Sequence, residues 1–264
     1  MNPLVAHRKR IWLYALAALV VAFLVLPVLI VVPMSFSDSR FLDFPPPAWS
    51  LRWYRRFFDS SEWSGALGVS LKLAASTVLL AVPLGTAAAY AIHSSRTRVG
   101  RLTHILLLLP MMVPHIILAI GIFYFFVKLE LLGKFAGIAV AHTMLALPFV
   151  VVTVLAGLRS FDMSQEQVAR SMGCTRWKAF MWVTLPQIRA SVLSGALFAF
   201  VTSLDEVVVS LFIAAGDNTT ITKVMFGSLR DEIDPTIATV STLLIGCSFV
   251  LVLLGMLSAR RPAG

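Results

Sequence analysis

Between residues 164 and 186 the chain reads Ser164-Gln-Glu-Gln-Val-Ala-Arg-Ser-Met-Gly173, then Cys174-Thr-Arg-Trp-Lys-Ala-Phe-Met-Trp-Val-Thr-Leu-Pro186. These residue types describe two short helices around a glycine. Ser164 can cap the first helix, with Gln167 completing a capping box. Val168 and Met172 share one face at i, i+4 spacing. Gly173 supplies a left-handed stop. Thr175 can cap the second helix, which carries Trp177, Phe180 and Met181, and Pro186 closes it. The product is a compact helix–Gly–helix knob whose apolar side needs a partner. Periodicity alone leaves a protein partner and a lipid headgroup layer equally open.

On both sides of the knob the chain is oily. Its 264 residues are 58% hydrophobic and 13% charged, where a soluble domain carries about a quarter charged residues. Six windows reach the roughly 20 mostly apolar residues that a membrane span needs. They are Ile11–Val32, Ala66–Ile92, Leu102–Val127, Ile138–Leu158, Val192–Ala215 and Ile237–Leu257. The chain therefore reads as an all-α membrane protein, one transmembrane domain over residues 1–264, with the knob in the loop 159–189. The run His7-Arg8-Lys9-Arg10 resembles the start of a signal peptide. The apolar stretch after it is far longer than an h-region of roughly 7–15 residues, so an uncleaved first span is expected.

Lys and Arg set the orientation. With a cytoplasmic N-terminus, the inner segments hold Arg8, Lys9, Arg10, Arg96, Arg98, Arg101, Arg159, Arg170, Arg176, Lys178, Arg189, Arg260 and Arg261. That is more than half of the 22 basic residues, with Asp162 and Glu166 as the acids among them. Both termini are thus expected inside. The first outer connection, Pro33 to Ser64, is long and nearly neutral. Its Leu51–Phe58 stretch reads as a short interfacial helix, with Trp53, Tyr54 and Trp63 suited to a headgroup belt.

Several function classes drop out. The net charge of +9 is scattered between apolar runs and forms no nucleic-acid-binding stripe. Cys174 and Cys247 have no further ligands at metal spacing. There is no phosphate-binding G-x-x-x-x-G-K-[ST] loop, no H-E-x-x-H helix and no nucleophile elbow. A membrane-embedded enzyme would lack a catalytic cluster. An ion-coupled secondary transporter stays as the less favoured alternative, since it would often show internal inverted repeats, none of which is clear, and would leave the knob unexplained.

Charged groups at bilayer depth are costly and usually face an interior or a cavity. Lys72 falls about 9 Å into the second window and Asp205 about 15 Å into the fifth, at 1.5 Å per residue, with Glu206 beside it. Two readings stand side by side: an ion pair between Lys72 and one acid, or a cation path lined by the acids. His115 follows Pro114 near the middle of the third window and can satisfy backbone groups that the proline frees. Gly85, Gly121, Gly195 and Pro83 suit close helix packing and bending.

The knob also resembles the coupling motif of permease subunits of binding-protein-dependent ABC importers, whose pattern is Glu-Ala-Ala, three residues, Gly, nine residues, Ile, one residue, Leu-Pro. Gln167-Val168-Ala169, Gly173, Val183 and Leu185-Pro186 occupy those positions at the same spacing. Phe161-Asp-Met-Ser164 is similar to the family's lead-in. Leu109-Pro-Met-Met-Val-Pro114 and Ser203-Leu-Asp-Glu-Val-Val-Val-Ser210 extend the likeness, which is greatest to the second permease of spermidine/putrescine importers. Gln167 and Val168 depart from the pattern.

The resemblance implies the type I ABC importer permease fold and no catalysis by this chain. It implies ATPase-coupling residues Ser164, Glu166, Gln167, Ala169, Met172, Gly173, Leu185 and Pro186. Candidate path residues are Asp205, Glu206, Lys72 and His115. The implied partners are a second, related permease chain, two ATPase chains that carry ATP and Mg²⁺, and a periplasmic or lipoprotein solute-binding protein. The implied setting is the bacterial inner membrane and the implied solute a polyamine. An amino-acid derivative or a phosphonate is the alternative.

Overall fold

A computed structural model of the chain describes residues 11–95, 97–231 and 233–259. The His7–Arg10 run, Arg96, Arg260 and Arg261, on which part of the orientation argument rests, lie outside the described residues. The helices are α1 Ile11–Met34, α2 Arg52–Asp59, α3 Ser61–Ser94, α4 Arg98–Met112, α5 His115–Lys128, α6 Phe135–Ser160, α7 Ser164–Ser171 and α8 Arg176–Ala179. After a π-helical turn, Phe180–Thr184, come α9 Leu185–Gln187, α10 Arg189–Leu204, α11 Val208–Ile213, α12 Ile221–Asp231 and α13 Thr236–Ala259. Among the described residues four helices, α1, α3, α6 and α13, are each long and apolar enough to cross a membrane. Two bent pairs bring the number to as many as six.

Two expected spans are not straight. The third breaks between α4 and α5 with a bend of 104°. Pro114 has no N–H to give, and it holds Val113 before it in an extended conformation, φ −89° and ψ 133°. The fifth is interrupted at Asp205–Val207, between α10 and α11. The stop expected at Pro186 also moves. Pro186 sits in the first turn of α9, where a missing N–H costs nothing. The chain instead turns by 79° between α9 and α10.

The described residues form two compact units, 61–226 with 247–259 and 11–60 with 227–246. In the first, α3, α6 and α10 are close enough that small residues decide the packing. Ala81, Ala89, Ala146 and Ala199 are fully buried. A Cβ at Gly85 would meet Val150 Cγ1 at 2.6 Å, and one at Gly195 would meet the same side chain at 3.4 Å. Val150 therefore seats between two glycines, as close-packed membrane helices require. Gly121 has no such role, since nothing lies within 4 Å of a Cβ there.

In the other unit, α2 forms where the sequence places an interfacial helix, but its aromatic residues do not make a belt. Trp53 is 3% exposed and donates its indole N–H to the Ser39 carbonyl at 3.0 Å. Trp63, at the start of α3 and so in the first unit, is buried as well. Arg56 pairs with Asp234 at 3.1 Å.

Candidate functional site

Both helix breaks open onto one cavity of about 420 Å³, lined by Pro110, Met111, His115, Phe149, Asp205 and Glu206 among others. A broken span exposes helix ends at bilayer depth. Here α4 and α10 arrive with their C-terminal, electronegative ends and α5 starts at the cavity with its N-terminal end. Irregular backbone at such depth is stable only where it lines a cavity or is re-satisfied by protein groups.

Those groups are present. Glu206 is buried, and its Oε1 accepts the Val209 N–H at 2.8 Å, which caps α11. Thr222 donates its hydroxyl to the Glu206 carbonyl at 2.9 Å. The other carboxylate oxygen of Glu206 lies 3.8 Å from His115 Nδ1, an ion pair if the imidazole is protonated. Asp205 is exposed in the cavity wall. The adjacent acids thus divide their tasks: one holds the break and the other faces the open volume.

Two expectations at this site change. Lys72 is exposed and forms no ion pair among the described residues, so it does not neutralise Asp205. Its long stem has open space to follow, and α6 and α10 pack on the opposite side of α3. Among the described residues His115 makes no hydrogen bond to the backbone that Pro114 frees. Its half-exposed ring lines the cavity instead.

The knob has the expected two-helix form. Gly173 follows α7 with φ +95°, a conformation that side chains beyond glycine rarely adopt. Thr175 caps α8 by accepting the Lys178 N–H at 3.3 Å. Ser164 is not the cap of α7. Asp162 takes that place, accepting the Ser164 N–H at 3.0 Å and its hydroxyl at 2.7 Å, which lowers the Asp162 pKa. Val168, Met172, Trp177 and Trp182 are exposed, Met172 to 81%. Ser164, Gln167, Gly173 and Pro186 are also exposed, while Ala169 and Leu185 are half-buried.

Glu166 departs from this outward-facing set. It is 2% exposed, and its carboxylate accepts the Thr184 hydroxyl at 2.6 Å and the hydroxyl of Tyr90 at the end of α3. Arg176 donates to the same Tyr90 oxygen at 3.2 Å and lies over its ring. Glu166 therefore ties the knob to α3 and the π-helical turn, and offers no surface to a partner.

Sequence reasoning missed Tyr90, Thr184 and His142. The first two come from segments 76 residues before and 18 after Glu166, so no local pattern could pair them. His142 is a histidine in the middle of an apolar window, which was a usable signal. It is 1% exposed, with Nδ1 2.8 Å from Ser203 Oγ and Nε2 3.2 Å from Ser210 Oγ.

Residues 81–261 match the family described as binding-protein-dependent transport system inner membrane component. The chain is 32% identical over 253 residues to the putrescine transport system permease protein PotI of Escherichia coli K12, covering 93% of this chain and 89% of that one. It is 29% identical to the spermidine/putrescine transport system permease protein PotC of Haemophilus influenzae, covering 92% and 94%. Among solved structures, a bacterial ABC transporter involved in import of the acidic polysaccharide alginate superposes over the full length of both chains. Its TM-score is 0.75 at 16% identity, a likeness of fold.

Proposed function

This chain belongs to the binding-protein-dependent transport system inner membrane components, and on that membership we propose that it carries a di- or polyamine across the bacterial inner membrane. It is the transmembrane, non-catalytic subunit of an ATP-driven importer. The observation that carries the solute reading is the cavity at the two helix breaks, whose acids are Asp205 and Glu206. An ammonium group entering a low-dielectric core needs compensating negative charge. Asp205 faces the open volume and Glu206 adds negative charge from within the wall, a balance that suits a cationic solute better than an anion or a neutral molecule. His115, which adds no negative charge, favours the shorter, dicationic end of the class.

The knob is the surface that meets the ATPase. Its exposed Val168, Met172 and Trp177 supply an apolar face, and the rigid Gly173 turn suits transmission of a lever movement to the spans. The knob and both termini lie on the cytoplasmic side, where Arg98, Arg101, Arg159, Arg170, Arg176, Lys178 and Arg189 concentrate. ATP and Mg²⁺ are bound by two partner ATPase chains. A second, related permease chain completes the path, and a periplasmic or lipoprotein binding protein delivers the solute.

The test is co-purification from native membranes, followed by ATPase assay of the reconstituted complex with its binding protein. A diamine such as putrescine should stimulate hydrolysis and enter the vesicles. Stimulation by an anionic or neutral solute, with no response to di- or polyamines, would overturn the solute reading. Uptake by this chain alone without ATP would overturn the importer reading.

A further inference from the structure

The interruption of the fifth span is held from outside by one side chain. His142, on α6, reaches Ser203 with Nδ1 and Ser210 with Nε2, at 2.8 and 3.2 Å. Ser203 is in the last turn of α10 and Ser210 in the first turn of α11, so the imidazole spans the gap that contains Asp205 and Glu206. Thr77 of α3 donates its hydroxyl to Ser203 Oγ at 3.2 Å. Thr77, Ser203, His142 and Ser210 are all 3% exposed or less. Every group is satisfied if Thr77 donates to Ser203, Ser203 to Nδ1, and Nε2–H to Ser210. This is the neutral imidazole protonated on Nε2, assigned from the network.

We infer that His142 is a positioning residue for the solute path, a rigid bridge across the break that fixes the direction in which Asp205 and Glu206 present their carboxylates. The physical need is specific. Interrupting a helix at bilayer depth frees backbone groups and loses the rigidity of the i to i−4 ladder. Glu206 and Thr222 restore local hydrogen bonds on the α11 side. Neither ties α10 to α11. His142 does, through two opposed nitrogens of a planar ring that cannot change their separation. A histidine that merely held α6 against α10 would need one partner. Two partners, one on each side of the acidic pair, set the relative orientation of the two half-helices. Displacing reacting or binding groups by about 1 Å can cost on the order of a hundredfold.

The inference rests on the cation-path reading, and its test separates the two. In the purified importer with its partner chains, Cys174→Ser and Cys247→Ser clear the background and Asp205→Cys places a thiol in the cavity wall. The probe is a small cationic methanethiosulfonate, and the readout is its rate of labelling with and without His142→Ala. A change of about tenfold is expected, with partial restoration by His142→Gln, whose amide supplies one acceptor and one donor. Ser203→Ala and Ser210→Ala should each shift the rate, and neither should add to His142→Ala. Putrescine uptake is measured in parallel with Asp205 intact, and His142→Ala should lower it while complex yield is kept. Unchanged labelling in His142→Ala overturns the inference whatever the solute. So does loss of assembly in His142→Ala with normal labelling and uptake in His142→Gln, Ser203→Ala and Ser210→Ala, because the ring would then only pack. Absence of putrescine uptake by the unmodified complex overturns the solute reading instead, and leaves the labelling result to decide the role of His142.

Discussion

The knob around Gly173 and the cavity around Asp205 belong to the same compact unit, and they are built in opposite ways. The knob is local: α7, a glycine at positive φ and α8 follow one another within a single stretch. It presents an apolar surface outward and keeps one acid, Glu166, inside as its anchor. The cavity is assembled from α4, α5, α6, α10 and α11. It keeps one acid, Glu206, as a cap and presents the other, Asp205, to open volume. In each region the buried carboxylate is structural, and in the knob the exposed Asp162 is structural too, because it caps α7. The lesson is that an acid near a functional surface is not thereby a contact residue, and its hydrogen-bond partners decide.

If this division holds, substitutions in the two regions fail differently. The largest effect belongs to Asp205→Asn. It should lower diamine uptake by about tenfold or more, because one charge-compensating group is lost from a low-dielectric path. Binding of the diamine to the soluble receptor and assembly of the complex should stay unchanged. Normal uptake by this variant would break the comparison, since neither acid would then face the solute.

Next comes Gly173→Val. A Cβ there meets nothing within 4 Å, so the cost is conformational rather than steric. Holding a side-chain-bearing residue at φ +95° costs about 1–2 kcal/mol, enough to distort the turn without unfolding the spans. Receptor-stimulated ATP hydrolysis should persist while uptake falls severalfold, the opposite signature to a closed path. Loss of both in equal proportion would mean that the knob and the cavity are not separable.

How much of this was legible depended on sequence distance. The Gly173 turn, the Thr175 cap and the apolar faces of the six windows are set by residues a few positions apart, and their periods can be read directly. Pro114 was visible as well, but its consequence was not. A mostly apolar window of 26 residues gives no sign that its halves diverge by 104°. The gap at Asp205–Val207 was hidden for a related reason. Asp205 and Glu206 read as costly charges in a straight span, whereas the structure relieves the cost by ending the helix there. Glu166, Tyr90 and Thr184, and likewise His142, Ser203 and Ser210, are joined only by the fold.

A smaller effect follows at the root of the knob. Thr184→Val removes one of the two hydroxyls that solvate the buried Glu166 carboxylate, a loss of about 1.5–3 kcal/mol for a hydrogen bond to a charged group. Much of this would be recovered by Glu166→Gln in the same chain, whose neutral amide demands less. The measurement is the ratio of ATP hydrolysed to solute moved. It should rise in Thr184→Val and fall back in the double variant. An unchanged ratio in Thr184→Val would mean that the tie to α3 plays no part in coupling.

The smallest effect is expected at Lys72, and it is the most discriminating. The side chain is exposed and forms no ion pair among the described residues. About 9 Å into a span, a lysine can carry its ammonium group towards the interface along its own stem. Lys72→Met should therefore shift complex stability by no more than about 0.5 kcal/mol, as surface substitutions do, and leave uptake near normal. The informative variant is Lys72→Met combined with Asp205→Asn. Independent sites add, so the double variant should transport as poorly as Asp205→Asn alone and assemble as well. Had the two groups formed a buried pair, removing one partner would strand the other, and removing both would repair the damage. Recovery of uptake in the double variant would establish such a pair in the assembled importer. Asp205 would then join Glu206 and Glu166 as a structural acid, and the cavity would differ from the knob only in where its carboxylates are hidden.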